Sequence, residues 1–314
     1  MLTGNEKQNL IQLADKIGFD IRKNVVQNVE IRFQKTFDFL PELVVLVASY
    51  VVIKDFTRQT TNNNIKDSIC FLFHNVFDDD EQTNGKRKFK VQKEMPHVRV
   101  FPYALSHKSI FKKHTHVKAV SVIISADYLK SFLKQDAQQF QFLFDSDNNF
   151  LVEEIMTENI LRTVNDIVKK EQPSALNSYH YKLKAMELLF YLFQSLSKRE
   201  KSVHQKLSDK DIQSIYKVRD KLVSSLQKPS TIAELKQVAG MNELKMRKLF
   251  TQVFGIGIYD YYQHLRMKEA ARLLRDEKLL VSEVGYQMGF ENLSHFSRVF
   301  EKHIGLKPKK YSLK

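Results

Sequence analysis

Cysteine is all but absent: Cys70 is the single example in 314 residues. One thiol excludes a disulfide framework and any multi-cysteine zinc site, and it fits a reducing compartment. Long apolar runs are missing as well. The longest, residues 40–53, contains Pro41 and Glu42 and falls short of the ~20 residues that cross a bilayer as a helix. The opening stretch, MLTGNEKQNL, lacks the charged-then-apolar order of a secretory signal. These absences lead us to expect a cytoplasmic protein with no membrane partner.

What is present describes a globular chain long enough for two domains, 43% apolar and 27% charged. The net charge of +14 is unevenly placed. From Lys201 to the end there are 22 Lys and Arg against 12 Asp and Glu, a net +10, which leaves +4 for residues 1–200. A basic part joined to a nearly balanced one is what binding to a phosphate backbone asks for. A solvated basic surface would explain the charge alone.

The chain is organised around residues 281–311, VSEVGYQMGFENLSHFSRVFEKHIGLKPKKY. Val281, Val284 and Met288 recur at helical spacing and mark one buried face. Gly289 supplies a tight inter-helix turn, and Asn292 is placed to cap the next helix. In that helix Phe296, Val299 and Phe300 face inward, which leaves Leu293, Ser294, His295, Ser297 and Arg298 outward. A free face of hydroxyls, an imidazole and a guanidinium suits the floor of a DNA major groove.

A similar pattern precedes it. A helix over residues 208–227, marked by Ile212, Ile215, Tyr216, Val218 and Leu222, ends at Pro229, and Thr231 with Glu234 makes a capping box for the next. Ile232, Leu235 and Val238 form its core stripe, Gly240 the turn, and Asn242 the cap of a helix from Glu243 to about Val253. Met246, Leu249 and Phe250 point inward, so Leu244, Lys245, Arg247 and Lys248 face outward. Arg247 is the best candidate for a base contact, because a guanidinium bonds a guanine edge bidentately. Lysines such as Lys245 and Lys248 more often anchor phosphates. Between the two patterns run residues 258–274, a helix of ~25 Å if straight, with Ala270-Ala271 where close packing is needed.

The ordered set Gly289-Phe290, Phe296-Ser297-Arg298-Val299-Phe300 and Gly305-Leu306-Lys307-Pro308 closing on Tyr311 resembles the second helix-turn-helix of the AraC/XylS family of transcription regulators. The string LKQVAGMNELKMRKLFTQVFG resembles the first. The resemblance implies a DNA-binding domain over residues 208–314, with helix-turn-helix motifs at about 231–254 and 281–303 joined by the helix at 258–274. Such a domain reads two successive major grooves of operator or promoter DNA, about 34 Å apart. By position, Leu244, Arg247 and Lys248 match residues that meet bases or flanking phosphates there. The resemblance also implies an N-terminal domain that binds a small effector or dimerises, activation through RNA polymerase, and no cofactor. Residues 207–255 look most like the branch that senses ferric siderophores, the regulators of pyochelin and yersiniabactin type. A sugar, an aromatic effector or none at all remains open. Three departures stand out: Leu279 and Leu280 where a small polar cap is usual, Gly285 where Ala is usual, which lowers helix propensity by ~1 kcal/mol, and Ser312 where Arg is usual.

The expected fold is α+β: a small β-barrel or sandwich-like sensor domain with packed helices, then an all-α domain. Residues 1–125 read mainly as β, with strands at 43–53, 69–73 and 117–124 and polar turns at 60–64 and 78–85. Residues 126–200 read as helical. Tyr128, Leu129, Phe132 and Leu133 mark one helix. Ile155, Ile160, Leu161, Val164, Ile167 and Val168 mark another, and Pro173 breaks the chain. The apolar helix at 181–196 either covers the β domain or packs on a second copy to make a homodimer. Residues 198–206 are polar, which places a linker at 201–207.

His114-x-His116 at a strand edge would put two imidazoles on one face, as in the metal site of a cupin-type enzyme. No carboxylate follows, and Lys112, Lys113 and Lys118 repel a cation. Surface histidines are the better reading, so neither a metal nor an enzyme is expected. An effector-independent or architectural DNA binder is the other alternative.

Overall fold

Strands β2 (Leu43–Val52) and β7 (Thr115–Ser125) carry the most strongly β-branched stretches of the chain, and they pair at the middle of its sheet. The computed structural model describes residues 28–40, 43–60, 67–78, 96–103, 105, 107–145, 149–168, 176–199 and 204–313. All but the first residue of each turn expected at 60–64 and 78–85, the break at Pro173 and residues 201–203 of the expected linker lie outside them; Thr60 and Asp78 end strands. The chain divides into two compact units, Met1–Asp209 and Lys210–Lys314. The architecture is α+β.

In the first unit β2 and β7 run antiparallel, with Leu43 opposite Ile124 and Val47 opposite Val120. On the outer side of β2 lies β1 (Val29–Leu40). Beyond β7 come β4 (Ser68–Asp78), β5 (His97–Pro102) and β8 (Val152–Ile155). The order is β1-β2-β7-β4-β5-β8, and each adjacent pair is antiparallel. A separate ribbon joins β3 (Phe56–Thr60) to β6 (His107–Phe111), with Phe56 stacked on Phe111 at 4.8 Å. The expected barrel is corrected here. Among the described residues β1 and β8 are edges that do not pair with each other, so the sheet stays open.

Strand alternation sends Val45, Val47, Phe71, Phe73, Val98, Val100, Val120 and Val122 to one face. Helices cover it. Ser125 ends β7 and caps α1 (Ala126–Leu133), its hydroxyl accepting from the Tyr128 N–H at 3.2 Å. A 3₁₀ stretch follows, Lys134–Leu143. Then α2 (Glu158–Val168) and α3 (Asn177–Leu196) bring Ile160, Val164, Leu188 and Leu192 onto the same core. Each such side chain contributes ~1.5–3 kcal/mol by leaving water.

Ile155, read as part of a helical stripe, belongs to β8 and pairs with His97. Its five-residue spacing from Ile160 was the signal against a shared helix face. The segment after α3 is tied down at both described ends. Arg199 donates to the Glu153 carbonyl at 2.6 Å and pairs with the Glu154 carboxylate. The His204 ring stacks on Phe142 at 4.0 Å, and the Leu207 N–H reaches the Asn149 carbonyl at 2.9 Å.

The second unit is helical: α4 (Asp209–Ser224), α5 (Ile232–Ala239), α6 (Glu243–Phe254), α7 (Ile258–Arg275), α8 (Val281–Gln287), α9 (Leu293–Ile304) and α10 (Pro308–Ser312). The first half of α7 meets α6, with the Tyr261 ring 5.3 Å from Phe250 and 5.0 Å from Phe254. Its second half carries Met267, Ala270, Ala271 and Leu274 into a core with Val284, Met288, Phe296 and Phe300. The alanine pair sits where the helices approach, as its size suggests.

The start signals differ between α5 and α8. Thr231 and Glu234 make both halves of a capping box, at 2.8 and 3.2 Å, and the Thr231 backbone bond holds the Glu234 carboxyl below its ordinary pKa. At α8 the Glu283 carboxylate accepts from the Leu280 N–H at 2.8 Å, but a leucine offers no acceptor in return. Leu280 is 65% exposed, so little burial is lost by replacing it. Leu280→Thr is predicted to complete the box and raise stability by about 1 kcal/mol in denaturant unfolding.

Candidate nucleic-acid interface

Two helices in the second unit keep a polar face out of the core, and both begin the same way. The Asn242 side chain accepts from the Lys245 N–H at 2.9 Å, and Asn292 accepts from the His295 N–H at 3.0 Å. Each bond satisfies one of the unpaired donors at a helix start. The inward residues are as expected. Met246, Leu249, Phe250, Phe296 and Phe300 have no exposed surface, and Val299 is half-buried.

On α6, Leu244 is 80% exposed, and Lys245, Arg247 and Lys248 are exposed beside it. Two of these cations are engaged within the unit. The Lys245 ammonium lies 2.7 Å from the Asp211 carboxylate of α4, and the Arg247 Nε donates to Glu243 at 2.7 Å. The sequence reading paired neither cation with an acid. Glu243 was legible as an acid one turn before an arginine, whereas Asp211 comes from another helix and leaves no local signal.

On α9, Ser294, His295 and Arg298 are exposed and Ser297 is half-buried. The His295 ring stands edge-on to Phe290 at 5.5 Å. Leu293 departs from its expected outward placement. It is half-buried, and a Cβ on Gly285 would come within 2.6 Å of its Cδ2. Leu293 therefore turns back over α8, because the missing side chain at Gly285 leaves room for it. An open groove along α9 is lined by Leu293, Ser294, Ser297, Arg298, Glu301 and Lys307.

The turn before α9 is fixed from beneath. Arg266 of α7 is 6% exposed, and its Nε donates to the Met288 carbonyl at 2.7 Å. Its guanidinium lies 3.8 Å from the Phe290 ring centre and 5.7 Å from that of Tyr262. The Tyr262 hydroxyl donates to the Leu226 carbonyl at 2.9 Å. Next to Leu226, the Gln227 carbonyl stands so close to Gly289 that an added Cβ would lie 2.2 Å from it. Gly289 also has φ of +75°, a conformation that side chains disfavour by ~1–2 kcal/mol. The α4–α5 connection, the middle of α7 and the α8–α9 turn thus meet at one point.

The histidine pair expected at one strand edge divides. His114 precedes β7 in a turn with φ of +66° and is exposed, while His116 lies in β7 with its Nε2 3.0 Å from the Ser49 hydroxyl. Among the described residues no group of three or more His, Cys, Asp or Glu is placed to hold a metal ion. No described helix is long and apolar enough to cross a membrane.

A different pair carries a pH dependence. The His264 and His303 rings are 6.2 Å apart, between α7 and α9. Burial, then the Lys268 and His303 charges, pulls His264 down to about 4, and burial lowers His303 too. In an unfolded chain histidine titrates near ~6.5. The unfolded chain therefore binds more protons between these values, so stability is complete above the window and falls as pH drops from about 6.5 to about 4. Hydrogen exchange, corrected for intrinsic rates, is predicted to show α7 and α9 losing protection across that window. His264→Phe is predicted to flatten the loss.

Comparison with known proteins places these helices. Residues 235–314 match a family model described as a helix-turn-helix domain. The chain is 36% identical over 96 residues to the regulatory protein PchR of Pseudomonas aeruginosa, covering 30% of this chain and 32% of that one. It is 29% identical over 126 residues to the transcriptional activator RhaR of Escherichia coli, covering 40% and 45%. Among solved structures, ToxT of Vibrio cholerae aligns over 87% of this chain and 98% of its own at 14% identity, with a TM-score of 0.32. The chain spans less than half the length of the curated relatives it matches. Residues 235–314 thus form a helix-turn-helix domain, and this C-terminal part is where the chain is similar to the AraC/XylS family of transcription regulators.

Proposed function

We propose that the protein is a sequence-specific DNA-binding transcription regulator that reads two successive major grooves, one with α6 and one with α9. The observation that carries this reading is the pair of asparagine-capped helices, each with a polar face turned away from the core and both packed against α7. Arg247, Leu244 and Lys248 are the residues assigned to the first groove, with Ser294, His295, Ser297 and Arg298 in the second. Lys245 is assigned to a phosphate, which it reaches by leaving Asp211. The basic balance of residues 201–314 supplies the sequence-independent attraction.

In the same reading the first unit is a sensor. A small effector that binds two arrangements of the chain unequally shifts its occupancy of DNA or its contact with RNA polymerase. A ferric siderophore is the first effector to test, on the resemblance of residues 207–255. Activation rests on family habit and on the activator named among the relatives. The first unit is also assigned a homodimer contact on α3, where Tyr179, Leu183 and Phe190 are more than half exposed at helical spacing. Sedimentation of the full chain is expected to show a dimer, and Leu183→Glu is expected to give a monomer. A wild-type monomer at micromolar concentration would remove this assignment.

The primary test is selection of bound duplexes from a random pool at physiological salt. Wild type is expected to recover two half-elements about one helical turn apart, and Arg247→Ala is expected to lose the preference in one of them. A featureless pool, with and without candidate effectors, would overturn the reading.

A further inference from the structure

We propose that Glu243 is a positioning residue for base recognition: it holds the Arg247 guanidinium in the orientation that reads a guanine edge. The inference rests on the DNA-reading role proposed for α6. It starts from the 2.7 Å bond between the Arg247 Nε and Glu243 Oε1, one helical turn apart. Among the described residues this is the one polar partner of Arg247.

The geometry leaves a definite set of donors. A guanidinium has five N–H groups in a rigid fork. With the Nε–H given to Glu243, the two terminal nitrogens remain, and their outer hydrogens match the O6 and N7 acceptors of guanine. The carboxylate also limits the rotamers of a long side chain before DNA arrives, so less freedom is lost on binding.

Stability alone does not account for the pair. Both side chains are nearly half exposed, 46% and 48%, and exposed pairs of this spacing contribute little to folding. Glu243 is also poorly placed for affinity, since a negative charge on the reading helix repels the phosphates. As an acid in the first turn of α6, Glu243 also favours the helix start, a gain that does not require Arg247; the bond to Arg247 is explained if it supplies selectivity. Arg298 offers a contrast on α9: it lines the groove with Glu301 but makes no ion pair among the described residues.

Opposite signs follow for two measurable quantities. Glu243→Ala is expected to bind random duplex DNA at least about twofold tighter, because one repelling charge is gone. Its discrimination against a single guanine replacement in the half-element read by α6 is expected to fall at least about fivefold from the roughly tenfold to hundredfold that a bidentate contact gives. Glu243→Gln keeps an acceptor for the Nε–H and is expected to keep most of the discrimination while also binding random DNA more tightly. A merely structural role for Glu243 would change thermal melting without this separation of affinity from selectivity.

The experiment is a titration of full-length wild type, Glu243→Ala, Glu243→Gln and Arg247→Ala against the selected duplex, its guanine-replaced variant and random DNA. Loss of discrimination in both Arg247→Ala and Glu243→Ala, with Glu243→Gln retaining it, is the expected result. Loss in Arg247→Ala but none in Glu243→Ala would overturn the positioning role and leave the DNA-reading role standing. No loss in Arg247→Ala would overturn both.

Discussion

The second unit depends on one buried cation. Arg266 is 6% exposed and has no carboxylate partner among the described residues. Removing a charge from water costs several kcal/mol. What offsets it is the Met288 carbonyl, the Phe290 ring and the Tyr262 ring. A bond to a charged donor contributes ~1.5–3 kcal/mol and a desolvated cation–π contact ~2 kcal/mol. These partners belong to the turn that starts α9 and to α7 itself. The same few residues that keep the cation buried therefore fix the entry angle of α9 relative to α7, and Gly289 lets the turn close over the Gln227 carbonyl.

That arrangement gives α7 its part in the proposed mechanism. The helix spans 18 residues, ~27 Å at 1.5 Å per residue. Its first half is held by Phe250 and Phe254 of α6, and its second by Phe296 and Phe300 of α9. A side chain at Gly285 would press on Leu293 and come within 3.3 Å of Phe296. The glycine that weakens α8 by propensity also allows α9 to approach it closely. Its two effects oppose each other: the helix loses propensity and gains a closer packing partner.

The sequence made the second unit legible because its signals are local. Thr231 and Glu234, Asn242, Asn292, Gly289 and the spacing of Phe296 and Phe300 each act within one turn of helix. They suffice to place α5, α6, α8 and α9. The Arg266 bond to Met288 was not legible, because it joins residues 22 apart in the chain and no periodicity encodes it. The first unit was harder for the same reason. Strands β2 and β7 stand out by β-branched content and β4 by its phenylalanines, but β8 is four residues long and includes two glutamates. Whether a sheet closes depends on pairing between its distant edges. Leu293 failed for a subtler reason: helical spacing put it outward, and a missing side chain on the neighbouring helix let it turn in.

A rigid spacer between two helices proposed to read DNA makes its strongest claim about distance along the duplex. The direct measurement is affinity of the full chain for its selected duplex with two or three base pairs inserted between the half-elements. A spacer fixed by Arg266 and the α7 packing predicts that affinity falls toward that for random DNA, because an insertion rotates one half-element away from its helix. Undiminished affinity for the lengthened duplex would contradict the fixed spacing, and with it the account of α7 as a rigid connection.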